Sequence, residues 1–256
     1  MTSFYRKAFA LRYFFICSVE KQYVIEYNKN INQWIGVGDI MKTILCYGDS
    51  NTYGFNPKTG GRYTYDVRWP GVMQNCLGRD DYYVMEEGLN SRTTICNDPC
   101  YFDNKNGLAL LPAILNSHLP LDLLIIMLGS NDMKLRFSMQ AIDIATGASM
   151  LVQEAKHVFA QAGCNCEILL MAPPYITEDM KDTECYCEFG ERALQISAEL
   201  SERYAAIAKQ NGVHFLDVAS IVKPSSIDGL HLTPEGHTVL ANHVAEKCRE
   251  ILNMDR

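Results

Sequence analysis

The sequence has no C-x-x-C pair among its ten cysteines, whose close spacings are Cys96-x3-Cys100, Cys164-x-Cys166 and Cys185-x-Cys187. Structural zinc sites draw on tighter Cys/His patterns, so no metal centre is expected. Disulfide frameworks belong to small secreted chains, and Cys46 and Cys76 sit in apolar runs where a thiol acts as a small core hydrophobe. The thiols are expected to be reduced, in a cytoplasmic protein, with Cys185 and Cys187 the most exposed pair. Neither G-x-G-x-x-G nor G-x-x-x-x-G-K-[ST] occurs, which removes the usual nucleotide cradles, and no cofactor is implied. The net charge is −7 without a basic stripe, so nucleic acid is not an expected partner. The N-terminal apolar run Tyr13–Cys17 is too short to span a bilayer, and no membrane partner is expected.

The 256 residues are 48% hydrophobic and 21% charged, enough for one large α/β domain or two small ones. Residues 1–40 stand apart. Arg6, Lys7 and Arg12 precede the short apolar run in a weak imitation of a signal peptide, but no small-x-small cleavage site follows. Met41-Lys42 stands directly before the first strand. Met41 is therefore read as the natural start, and 1–40 as an upstream extension or weakly ordered arm. A secreted chain with a signal peptide is the alternative.

From residue 41 to 256 the pattern is that of one domain. Strands are expected at Thr43–Gly48, Tyr82–Glu86, Asp122–Leu128, Glu167–Ala172 and Val213–Asp217. The run Asp122–Leu128 is uninterrupted, as in a strand buried on both faces. Helices are expected at Pro70–Leu77, 107–118, Ala141–Ala162, 190–211 and from Thr233-Pro234 onward, where Thr suits the N-cap and Pro the first turn. Long loops cover 53–69 and 175–189, and long loops in compact domains tend to be functional. Five strands alternating with helices predict a parallel sheet covered on both faces.

Three strand ends carry small polar clusters: Gly48-Asp49-Ser50, Asn90-Ser91 and Ser130-Asn131-Asp132. A parallel sheet puts these ends on one edge, where ligands bind in open α/β sheets. The Asp228–His231 loop can reach the same edge. Each residue has a plain alternative: Ser50 and Thr233 as caps, Asp228-Gly229 as a turn, His231 as a structural histidine. Together they make the inventory of a serine hydrolase. The elbow G-x-S-x-G is missing, since Gly48-Asp49-Ser50-Asn51-Thr52 lacks the second glycine, which argues against the α/β-hydrolase fold.

With these blocks in order, the sequence resembles the SGNH hydrolases, also called the GDSL esterase/lipase family. The matching blocks are Gly48–Gly54, Gly88–Thr94, Gly129–Asp132 and Asp228–His237. The extended forms with Arg92-Thr93-Thr94 and His231-Leu232-Thr233-Pro234 resemble the arylesterase and acyltransferase branch. The resemblance implies a three-layer α/β/α sandwich with a five-stranded parallel sheet, flavodoxin-like in order. It implies Ser50 as nucleophile, His231 as general base and Asp228 as its orienting acid. The backbone amides of Ser50 and Ser91 and the side chain of Asn131 would form the oxyanion hole, with Ser91 standing where the family usually has glycine. Asp49 and Asp132 are expected to brace loops, and His237 to be structural. Tyr53, Phe55, Trp69 and Tyr175, on the two long loops, are candidates for a substrate pocket; packing the domain is the equal alternative.

The expected activity is hydrolysis or transfer of short acyl groups of small-molecule carboxylic esters, without metal or cofactor. A carbohydrate O-deacetylase and a catalytically silent binding module are the competing readings. Members of the branch often form oligomers, so a homo-oligomer is an expectation as well.

Overall fold

The computed structural model describes residues 24–28, 33–37 and 41–252. The chain divides into two compact units, Met1–Met41 and Lys42–Arg256. In the first, β1 (Val24–Asn28) and β2 (Gln33–Val37) pair antiparallel, Val24 opposite Val37. The polar, Asn-rich sequence there predicts no strand. The rest of the expectation for 1–40 lies outside the described residues.

The second unit contains β3 (Lys42–Gly48), β4 (Tyr82–Gly88), β5 (Leu123–Met127), β6 (Glu167–Ala172) and β7 (His214–Asp217). They form one sheet in the order β4-β3-β5-β6-β7, parallel at every pairing. The helices are α1 (Ser50–Tyr53), α2 (Trp69–Leu77), α3 (Gly107–His118), α4 (Ala141–Ala162), α5 (Cys185–Phe189), α6 (Arg192–Asn211) and α7 (Pro234–Ile251).

Alternation along the strands builds the layers. Leu45, Tyr47, Leu124, Ile126 and Leu170 pack with Leu111 and Leu115 of α3 and with the apolar faces of α4 and α6. Their neighbours Ile44, Cys46, Leu123, Ile125 and Leu169 face the other way, against Trp69 and Met73 of α2 and Leu240 and Val244 of α7. Every residue of β5 is buried, so its unbroken apolar run is what a strand covered on both faces requires. This is the expected three-layer sandwich, in the flavodoxin-like order. Asp122 falls just outside β5. Its carboxylate takes the Lys42 ammonium at 2.8 Å and the Thr43 amide at 2.9 Å, clamping the starts of β3 and β5 together.

The strand order reverses between β3 and β5. Ligands in doubly wound sheets bind at such a switch point, beyond the carboxyl ends of the strands. Ser50 follows β3 and Asn131 follows β5, so both stand at this place.

Candidate active site

Ser50 is presented by a turn too tight for any residue but glycine at its root. A Cβ on Gly48 would lie 2.0 Å from Thr52 Oγ1 and 2.9 Å from the Met127 carbonyl. With that position bare, the chain folds back at once into α1. Asp49 caps the turn, accepting the Asn51 amide at 3.0 Å. Burial pushes the Asp49 carboxyl up, partly offset by that amide and by His231.

Asp228 and His231 come from one turn before α7. Asp228 Oδ1 accepts the amides of Leu230 and His231 at 3.0 and 2.9 Å, and Oδ2 accepts from His231 Nδ1 at 2.5 Å. Burial alone would raise this carboxyl; the bonds and charge of His231 outweigh it and hold Asp228 below the usual value. With Nδ1 donating to a carboxylate, the neutral ring offers Nε2 as acceptor. Nε2 lies 2.9 Å from Ser50 Oγ. Gly229 allows the turn, with φ at +65° and the Met180 amide 2.4 Å from where its Cβ would be. The structure thus brings Ser50, His231 and Asp228 into one row, each no more than 8% exposed.

A residue that the sequence reading left unassigned ties the row together. Asn51 Nδ2 donates to the Leu230 carbonyl at 3.2 Å, and Asn51 Oδ1 accepts the Leu232 amide at 3.0 Å. One side-chain amide thereby clips the nucleophile turn to the histidine turn from both sides of His231. Its sequence signal is its place in the Gly48–Gly54 block, a polar residue able to donate and accept next to Ser50.

The opposite flank carries Asn131 and Ser91. Asn131 Nδ2 donates one proton to the Arg92 carbonyl at 3.2 Å, leaving its second N–H available. Ser91 adopts φ of +65°, a left-handed conformation that favours glycine. Arg92 donates from Nη1 to the carbonyls of Gly48 and Glu87, and its guanidinium lies 4.1 Å from the Tyr47 ring centroid. It therefore joins the ends of β3 and β4. Asp132 braces this flank, accepting the Thr94 amide at 2.9 Å and its hydroxyl at 2.5 Å. Burial pushes its carboxyl up to about 6.

The pocket candidates separate. The Phe55 ring lies 4.4 Å from the His231 ring, centroid to centroid, at a tilt of 43°. Tyr53 closes α1 and has the Arg62 guanidinium 4.2 Å over its ring. Tyr175 is 37% exposed. Trp69 is a correction: its side chain is fully buried among Met73, Leu77 and the α7 residues, because it opens α2 on the apolar side of that helix. Its amide is held by Nδ1 of His237 at 3.3 Å. Burial, followed by the charges of His231 and Arg68, brings His237 down to about 4. Cys76 is half-buried at the edge of the core, and its thiol also donates to Asn242 Oδ1 at 3.2 Å. Loop 175–189 contains a 3-10 turn, Glu178–Asp182, and α5. Among the described residues, no group of His, Cys, Asp and Glu has the arrangement of a metal site.

A doubly wound parallel sheet with a linked Ser–His–Asp row at its carboxyl edge defines a serine-type ester hydrolase. A model of the GDSL-like lipase/acylhydrolase family matches residues 46–239, and the chain belongs to that family. It is similar to Est24, a carbohydrate acetylesterase from Sinorhizobium meliloti, at 38% identity and TM-score 0.76 over 82% of this chain and 99% of that one. The aryl esterase of M. smegmatis gives the same identity, coverage and score. A second carbohydrate acetylesterase family member from S. meliloti is 33% identical, with TM-score 0.76 over 83% of this chain and 100% of that one. Among curated proteins, none matches significantly.

Proposed function

We propose that this carboxylic ester hydrolase works through an acyl-Ser50 intermediate. The observation that carries the assignment is the row Ser50 Oγ, His231 Nε2, His231 Nδ1 and Asp228 Oδ2, joined at 2.9 and 2.5 Å. Ser50 Oγ attacks the ester carbonyl while its proton passes to His231 Nε2. His231 returns that proton to the departing alkoxide, which leaves as the alcohol. Water or another alcohol then attacks the acyl-enzyme by the same route in reverse. Asp228 keeps the ring in the tautomer that leaves Nε2 free and stabilises the imidazolium. The Ser50 and Ser91 amides and the second N–H of Asn131 receive the oxyanion.

The substrates are short acyl esters. Both an aryl esterase and carbohydrate acetylesterases stand among the similar structures, so an O-deacetylase of sugars is the second reading. Parallel assays on aryl acetates and acetylated sugars separate the two. The test of the mechanism is burst acylation by a p-nitrophenyl ester, with labelling by a fluorophosphonate. Both are expected in the native protein, and a burst that persists in Ser50→Ala removes Ser50 as nucleophile. Transfer to alcohols, a homo-oligomeric state and a cytoplasmic location complete the proposal; the described cysteines are unpaired thiols, which supports the last.

A further inference from the structure

Residue 91 has two unusual properties at once: a left-handed backbone at φ +65° and a side chain that makes a specific bond. Ser91 Oγ–H donates to Tyr101 Oη at 2.9 Å. A residue with a Cβ leaves the left-handed region readily unless its surroundings hold it there. Among the described residues, this is the one side-chain hydrogen bond that Ser91 makes.

Tyr101 is built to be a fixed partner. Its loop leaves the second motif at Thr93 and returns to it, since the Thr93 amide donates to the Lys105 carbonyl at 2.9 Å. Asp98 holds the outward limb: its carboxylate takes the Arg136 guanidinium at 3.0 and 3.1 Å and the Cys100 amide at 3.0 Å. Two ammonium groups contact the phenol ring, Lys105 Nζ at 5.0 Å and Lys134 Nζ at 5.5 Å from its centroid. Both lysine side chains are buried, at 7% and 3% exposure, and both are neutralised in place, by Asp103 at 2.6 Å and Glu188 at 3.0 Å. Tyr101 is therefore held through both its loop and its ring, although it stands on a surface loop.

We propose that Tyr101 is a positioning residue of the oxyanion hole. Its hydroxyl holds Ser91 in the left-handed conformation and so aims the Ser91 amide at the developing oxyanion. The hydroxyl supplies the restraint that a serine needs at a position where a glycine would adopt this φ unaided. The inference rests on the reading of Ser91 as an oxyanion donor.

The experiment is a double-mutant cycle on the full chain, with p-nitrophenyl acetate as substrate and kcat and KM resolved separately. In the native background, Tyr101→Phe is expected to lower kcat about three- to tenfold, because the Ser91 amide then meets the oxyanion less well in the transition state, with KM nearly unchanged. In the Ser91→Gly background, which has no hydroxyl to anchor, the same substitution is expected to change kcat by less than about 1.5-fold. An unchanged kcat for Tyr101→Phe in the native background overturns the proposal, as does an equal loss in both backgrounds. Asn131→Ala, measured alongside, keeps the two readings apart. Native turnover in Asn131→Ala removes the oxyanion hole itself, whereas a crippled Asn131→Ala beside a silent Tyr101→Phe removes only the anchor.

Discussion

The two flanks of Ser50 are constructed in opposite ways. On the proton-relay flank, Asp228 and His231 lie three residues apart in one turn, and Asp228 accepts three hydrogen bonds from that turn. The turn is buried and clipped at both sides of His231 by Asn51. On the oxyanion flank, the groups come from separate segments. Ser91 sits at positive φ, and its partner Tyr101 is 37% exposed. Local sequence shapes the first flank, and a single remote residue, Asn51, completes it. The second depends on loops that must each be anchored, which makes it the flank where small changes tune rate without touching the relay.

Substitutions can break this contrast, and the largest effect is expected at its centre. Ser50→Ala should remove the burst and lower turnover by at least about 10⁴-fold, read by stopped-flow release of p-nitrophenol. On the relay flank, Asp228→Asn presents an amide where His231 Nδ1 needs an acceptor. It should cost on the order of 10⁴ in kcat with the fold retained; a loss below tenfold would contradict the relay. On the oxyanion flank, Asn131→Ala should cost about 10²–10³ in kcat, because one donor of several is lost rather than the relay. Asn51→Ala tests the clip. It strands the buried Leu230 carbonyl and Leu232 amide, so denaturant unfolding should show a loss of about 1–3 kcal/mol. Turnover should fall about tenfold as the His231 turn loosens.

The last test moves stability rather than turnover, and does so through pH. His237 is held neutral in the fold, with its ordinary value of 6.5 brought down to about 4. The unfolded chain therefore binds the proton first. His237 contributes stability fully present above pH 6.5 and lost as pH falls toward 4. Asp132, pushed up to about 6 from 3.8, acts in the opposite sense, destabilising as pH rises across nearly the same range. Replacing His237 with Gln should remove about 3 kcal/mol of acid-induced loss between those limits, measured as the difference in urea unfolding free energy from the native protein. An unchanged pH slope would show that His237 is not buried neutral.

Much of this architecture was readable before the structure. The apolar runs at 44–47 and 123–127 are buried on both faces, so their signal needed no tertiary information. The helix at 141–162 fell on its observed bounds because Gly163 and the periodic apolar stripe mark it, and the helix at 107–118 matches its observed bounds as well. Ser50, Asp228 and His231 were legible as motif blocks, and the sheet brought them together. What was not legible depends on partners remote in the chain. Asn51 acts through residues 179 and 181 positions away. Trp69 looked like a loop aromatic, yet the direction of α2 turns it into the core. The hairpin of β1 and β2 lies in a polar, Asn-rich stretch without clear alternation, and α5 is a single short turn of helix between irregular segments.

The bond between Ser50 and His231 spans 181 residues. At a translation rate of roughly 5–20 residues per second, about 9–36 s separate the synthesis of the two groups. Throughout that interval the nascent chain carries a serine hydroxyl without a base, as inert toward esters as any other serine. The Asn51 clip cannot close before Leu232 has been made, and Leu232 follows His231 by one position. Nucleophile, base and clip therefore become competent together, so that reactivity arrives with folding and a chain stalled before this loop stays chemically silent.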